Sequence, residues 1–262
     1  MDWQGIVFSL QQGRGKKLLT WLAILVVVPV LSLYLVWKRE SGPENEWIIE
    51  YGLLAKSIAE GHGFETPVKH PRAVEVLGDR YKSGEDRIPE LWHAPGYPAV
   101  LGAAFGVLGE DGRDWMFADP EPSEEVTYPF FRADRYWLYV NLGFFWLVLL
   151  LTWFLARRLF NPFTAGLAVL GLILAASEWM AVLRLDSSIW ITLMFLGFCH
   201  LGLSLMDWLG RESRLWVLLA LLLGLAGAAL FLSRYATVLI VLGFCISLPI
   251  FSGDNRKRSL WA

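Results

Sequence analysis

Six apolar segments, roughly 18–37, 137–156, 163–183, 187–206, 215–232 and 235–251, recur along the 262-residue chain. A helix needs about 20 apolar residues to cross a bilayer core, and each segment reaches or approaches that length. The last two are short and would tilt less or extend by a turn. Composition agrees: 55% of residues are hydrophobic and only 18% are charged, against about a quarter charged in soluble domains. The expected fold class is an all-α integral membrane protein with about six transmembrane helices and one long extracytoplasmic loop containing juxtamembrane helices. The first segment is too long for a signal-peptide core, and no small-residue cleavage site follows it, so it is expected to be a retained span.

Cations orient the spans. Arg14, Lys16 and Lys17 precede the first, and Arg157 and Arg158 follow the second. Arg211 and Arg214 separate the fourth from the fifth, and Arg256, Lys257 and Arg258 follow the sixth. With six spans all four clusters fall on one side, which the positive-inside rule makes the cytoplasm; Lys38 and Arg39 are the exception. The expectation is a multi-pass protein of the cytoplasmic (inner) membrane with its N-terminus inside. Residues 1–37 would be the N-terminus and first span, 38–136 the outer loop, 137–251 a five-helix bundle and 252–262 a cytoplasmic tail. The other outer connections, "RLDSS" and "SRYAT", are very short. Chemistry is therefore expected at the outer membrane–water boundary.

A net charge of −2 implies no bulk attraction to nucleic acid. Cys199 and Cys245 lie in apolar runs and read as small buried hydrophobes. With four His and two Cys, no metal-ligand spacing is visible. The outer carboxylates leave a divalent cation open, bound there or replaced by plain solvation.

The outer loop opens with "SGPE", a capping-box pattern in which Ser41 is the N-cap, Glu44 lies three residues on and Pro43 sits in the first turn. At about 100° per residue, Trp47, Tyr51, Leu54, Ala55 and Ile58 share one stripe. Glu46, Glu50, Ser57 and Glu60 share the opposite side, and Gly61 and Gly63 provide the stop. This predicts a helix lying along the membrane with its apolar stripe in the interface. Its carboxylates are either a solvated face or a base held over the membrane. Residues 65–92, with Pro67, Pro71 and Pro89, read as an irregular loop. In "WHAPGYPAVLGAAFGVLG", Pro95 and Pro98 break the chain and a helix of about three turns follows, too short to span and so superficial or re-entrant. Residues 110–136 run acidic, then aromatic, into the second span.

Charges at membrane depth are costly. Glu178 lies near the outer end of the third span, Arg184 and Asp186 in the turn before the fourth, and Arg234 in the turn before the sixth. All four are expected at the outer surface. They form either paired interfacial charges or an anion site with Arg184 and Arg234 on a lipid phosphate. His200 reads as a packed core histidine, and Gly224, Gly227 and Ala228 as a row that lets helices approach.

Four stretches together resemble a known family. "EYGLLAKSIAEGHGF", "APGYPAVLGAAFGVLG", "AVLRLDSSIW" and "GLAGAALFLSRYATVLIVL" are similar, in order, to motifs of the C-type (GT-C) membrane glycosyltransferases. The relatives are the protein O-mannosyltransferases and the lipid A aminoarabinose transferases, of glycosyltransferase family 39 type. The chain resembles their N-terminal module. The resemblance implies transfer of a sugar from a polyprenyl-phosphate donor, a membrane lipid, to an acceptor on the outer face. An acidic residue of the first surface helix would act as base, Glu46 or Glu50 here. Tyr51, His93, Arg184, Asp186 and Arg234 would bind substrate. Family members usually carry an Asp four residues before the Tyr, where this chain has Trp47. They are also usually longer, with more spans. The alternative expectation is therefore a non-catalytic or truncated module acting as a scaffold, or paired with a second membrane subunit. A transporter is disfavoured, because no paired repeat with broken spans is visible.

Overall fold

A computed structural model describes residues 30, 32–34, 46–67, 87–90, 93–118, 132–209 and 215–251. The chain forms two compact units, Met1–Ser41 and Gly42–Ala262. In the first, residues 30 and 32–34 are helical. The rest of the expected first span lies outside the described residues. So do the capping pattern at Ser41 and Glu44 and the cations at 14–17, 38–39, 211–214 and 256–258.

The second unit begins with helix α1, Glu46–Ala59. Its stop is a Schellman turn: Gly61 N–H bonds Ile58 O at 3.1 Å and His62 N–H bonds Ser57 O at 3.0 Å. Gly61 sits at φ 81, which only glycine adopts without strain. Strand β1, Glu65–Thr66, then pairs antiparallel with β2, Ile88–Pro89. The stretch expected to be irregular throughout is thus closed at its ends by a two-residue ladder. Helix α2, Gly96–Gly106, follows. Pro98 falls in its first turn, where a missing N–H is harmless. The acidic connection also contains a helix that periodicity did not indicate, α3, Gly109–Phe117, with Glu110 and Asp111 in its first turn, where carboxylates complement the helix dipole.

The remaining elements are α4 (Arg132–Leu159), α5 (Pro162–Leu174), α6 (Ala176–Leu183), α7 (Ser188–Leu209) and α8 (Leu215–Ser233). A 3-10 turn (Tyr235–Thr237) and α9 (Val238–Phe251) complete them. Helices α4, α7 and α8 are long and apolar enough to cross a membrane; α5 and α6 make a fourth candidate if taken together. Only 33%, 33% and 17% of the most apolar windows of α4, α7 and α8 is buried within the protein. So much bare apolar helix surface needs a non-aqueous covering. Where six continuous spans were expected, the described residues therefore contain three, or four with the bent pair. The last expected span is instead a shorter apolar helix after the 3-10 turn.

The expected third span is broken. α5 and α6 meet at 54°, with Ala175 extended at ψ 108. No proline marks the site. A break strands carbonyls that need partners, and the Trp179 indole supplies one, donating to Ile173 O at 2.7 Å.

Helix α1 packs on α2, α4 on α5 and α7, α7 on α8, and α2 reaches α8. A Cβ at Gly102 would stand 2.9 Å from Ala55 O and Ile58 Cβ, and one at Gly96 would stand 2.6 Å from Ser233 Oγ. Bare glycines let the α1–α2 pair close up and dock on the end of α8. Consequently Leu54 and Ala55 of the apolar stripe are buried within the protein, whereas the stripe was expected to lie in the membrane interface. Of the small-residue row, a Cβ at Gly227 would stand 3.2 Å from Val241 and 3.5 Å from Phe198, while one at Gly224 would meet nothing within 4 Å. Cys199 is half-buried, but Cys245 is exposed, contrary to expectation. At the far end of the bundle Arg158 bonds Asp207 and Ser204, tying α4 to α7. His200 Nε2 lies 2.9 Å from Leu151 O.

Candidate functional site

Where α1 and α2 meet the ends of α7 and α8, a cleft of about 380 Å3 opens. Tyr51, His93, Asp186, Ser187 and Arg234 supply its polar lining, and Ile48 and Ile191 supply apolar walls.

Arg234 is held by its backbone. Its N–H bonds Leu230 O at 3.0 Å, and its carbonyl accepts from Thr237 N–H at 2.9 Å and Thr237 Oγ1 at 2.7 Å. The next turn therefore starts at this residue. No salt bridge joins the Arg234 guanidinium to a carboxylate among the described residues.

Asp186 sits in a second constrained turn. Leu185 lies at φ 61, a left-handed conformation that costs a non-glycine residue roughly 1 kcal/mol or more. Its side chain is buried, and that burial holds it there. The bonds Leu185 N–H to Val182 O and Asp186 N–H to Ala181 O, 3.2 and 2.9 Å, close the turn. Asp186 Oδ1 then accepts the Ser188 N–H at 2.9 Å, orienting the carboxylate at the start of α7. Its main-chain carbonyl accepts from Asn141 Nδ2 at 3.4 Å.

Asn141 belongs to a buried chain of side chains. Trp137 Nε1 donates to the Tyr97 hydroxyl at 2.5 Å, which donates to Asn141 Oδ1 at 2.8 Å. This chain connects α2 through α4 to the Asp186 turn. Burial pushes the Tyr97 phenol well above its usual range, outweighing the lowering by its bonds to Trp137 and Asn141. Tyr51 stacks edge-on against His93 and Tyr97, with centroids 5.0 and 5.6 Å away. Burial also raises the Tyr51 phenol, against the lowering effect of its hydrogen bond to Ser187. Both phenols remain protonated donors at neutral pH.

His93 lies between two carboxylates. Nε2 is 3.1 Å from Glu50 Oε2 and Nδ1 is 3.3 Å from Glu90 Oε1. The His93 N–H also bonds Glu90 Oε1 at 2.9 Å. Side-chain exposure is 1% for His93, 14% for Glu50 and 2% for Glu90.

Of the residues singled out in the sequence, Tyr51, His93, Asp186 and Arg234 come together in this cleft. Glu50 does not line it: the side chain is turned onto His93, not out to a solvated face. The Glu46 side chain lies outside the described residues. Arg184 also falls elsewhere, because the left-handed Leu185 separates it from Asp186. It lines a second cleft of about 400 Å3 between α6 and α7, with Ser177, Glu178, Ser188 and Thr192. Asp186 borders both clefts. Glu90, Tyr97, Asn141 and Ser187 were not anticipated. The Glu-x-x-His spacing of Glu90 and His93 was the one local signal available. Among the described residues no group of three or more His, Cys, Asp or Glu is placed to hold a metal ion.

No protein-family model, curated protein or solved structure matches the chain.

Proposed function

We propose that this protein is a membrane glycosyltransferase that moves a sugar from a polyprenyl-phosphate donor to an acceptor on the extracytoplasmic face. On this reading the chain sits in the cytoplasmic membrane with its N-terminus inside. A polyprenyl-phosphate sugar presents an anion, an apolar tail and hydroxyls at the headgroup level. The Arg234 cleft offers a counterpart to each: a guanidinium for the phosphate, Ile48 and Ile191 beside the tail, and Tyr51 and Ser187 for the sugar. The leaving phosphate would develop negative charge beside Arg234, where a cation lowers the barrier. The observation that carries the reading is the convergence of Tyr51, His93, Asp186 and Arg234 on one cleft from four separate parts of the chain. The four stretches of family resemblance, which contain Tyr51, Asp186 and Arg234, agree with it.

The test is transfer from a sugar-labelled polyprenyl-phosphate donor in membranes bearing the protein, compared with Arg234→Gln. Donor turnover that disappears in the variant supports the assignment. Turnover indifferent to Arg234 removes it.

A second reading, a non-catalytic module that supports another membrane subunit, is favoured by two observations: Glu50 is occupied by His93, and Trp47 stands where the family carries an Asp. Stable co-purification with a second multispan protein, and no donor turnover by the chain alone, would establish it.

A further inference from the structure

The resemblance puts the base on the first surface helix, at Glu46 or Glu50; the Glu46 side chain lies outside the described residues, and Glu50 is turned onto His93. Among the described residues, the carboxylate that borders the cleft is Asp186. It is exposed, oriented by the Ser188 N–H at 2.9 Å, and set in a turn whose backbone departs from the ordinary at Leu185 (φ 61). Residues held in strained backbone cluster at functional sites. Asp186 also borders the second cleft, between α6 and α7.

The two clefts differ chemically. Among the described residues, the Arg234 cleft is lined by one arginine and, apart from Asp186, no carboxylate. The second adds Glu178 to Asp186 against one cation, Arg184, with the hydroxyls of Ser177, Ser188 and Thr192. Two carboxylates disfavour a phosphate, and hydroxyls and carboxylates suit a polyol.

We infer that Asp186 is the general base, and that the α6–α7 cleft takes the hydroxylated acceptor; this rests on the sugar-transfer reading above. The acceptor O–H passes its proton to the Asp186 carboxylate as the acceptor oxygen bonds the anomeric carbon. The bond from that carbon to the phosphate oxygen breaks, and its electron pair leaves on the lipid phosphate beside Arg234. The proton on Asp186 then returns to water. Glu50 serves through His93 and does not touch the acceptor.

Asp186→Asn isolates the charge, because the amide oxygen still accepts the Ser188 N–H and keeps the helix start intact. The probe is a labelled polyprenyl-phosphate hexose, with water and then methyl hexosides as acceptors. The expected result is a fall in kcat of about 10²–10⁴-fold, with unchanged binding of polyprenyl phosphate by native mass spectrometry. Adding formate to Asp186→Gly membranes should restore part of the rate. Thr192→Leu should raise KM for the methyl hexoside and leave that for the donor alone. If Asp186→Asn turns over like the parent while Glu50→Gln is inactive with donor still bound, Asp186 is not the base. If Thr192→Leu leaves the methyl hexoside KM unchanged, the α6–α7 cleft is not the acceptor site. If the parent protein turns over no polyprenyl-phosphate sugar and binds no polyprenyl phosphate, the sugar-transfer reading itself falls.

Discussion

The imidazole of His93 stands 3.1 Å from Glu50 Oε2 through Nε2, while Glu90 Oε1 stands 3.3 Å from its other nitrogen. One ring thereby joins α1 to the chain that leads from β2 into α2. His93→Ala would leave two largely buried carboxylates without their common partner, and leaving a buried polar group unsatisfied costs about 1–3 kcal/mol. A fall in the thermal midpoint in detergent, partly recovered by His93→Gln, is the expected outcome. An unchanged midpoint would show that the contact contributes nothing to the fold.

Tyr97→Phe removes a hydroxyl that both accepts from Trp137 and donates to Asn141. Two buried partners lose their bond, at about 1–3 kcal/mol. Asn141 also bonds the Asp186 carbonyl, so turnover should decline as well as stability. Denaturant unfolding and donor turnover on the same preparation check both.

Burial raises both the Tyr51 and Tyr97 phenols. An unfolded phenol ionises near pH 10 or about there, and the folded groups hold their protons to higher pH. Their contribution to stability is therefore fully present below about pH 10 and is lost as pH rises through the folded values. Unfolding midpoints measured between neutral and strongly alkaline pH should fall at the alkaline end. The double variant Tyr51→Phe, Tyr97→Phe should flatten that fall.

Gly102 and Gly106 lie one turn apart on α2 and provide a paired test of packing. A Cβ at Gly102 meets Ala55 O and Ile58 Cβ at 2.9 Å, whereas one at Gly106 meets nothing within 4 Å. Gly102→Ala should destabilise by about 1–3 kcal/mol through overpacking. Gly106→Ala should be neutral or stabilising by about 0.5–1 kcal/mol, because alanine suits a helix better. Equal effects would contradict the close approach of α1 and α2.

Arg234 is exposed, and among the described residues its hydrogen bonds are made by its backbone. Arg234→Gln should leave the thermal midpoint nearly unchanged and weaken binding of polyprenyl phosphate. Salt should weaken binding to the parent protein more than to the variant, since screening acts on the charge that was removed. Vesicle-partition assays at two ionic strengths read this directly.

Features governed by neighbours in the chain were legible in the residues. The body of α1 follows from its periodicity, and its end follows from Gly61, the residue type that a Schellman turn favours. The brevity of α2 follows from Pro95 and the glycines around it. The long apolar helices α4, α7 and α8 are set by composition alone, because a run of apolar residues of that length has few other places to go. The site was partly legible for a similar reason. Charged residues in turns between apolar runs are uncommon, so Asp186 and Arg234 stood out before any contact was known.

What lay outside that reading depends on distant parts of the chain. The break at Ala175 carries no proline, and a tryptophan four residues on partners a carbonyl it strands. The direction of Glu50 was misjudged because a helical projection distinguishes faces but not what covers them, and the covering residue, His93, lies over forty positions away. Sequence by itself determined which segments are helical and apolar, and which charges lie at their ends, since those depend on local propensity and hydrophobicity. Only the tertiary structure decided which carboxylate borders the cleft and which is turned onto a histidine, because that depends on the glycine-mediated approach of α1, α2 and α8 and on one left-handed leucine.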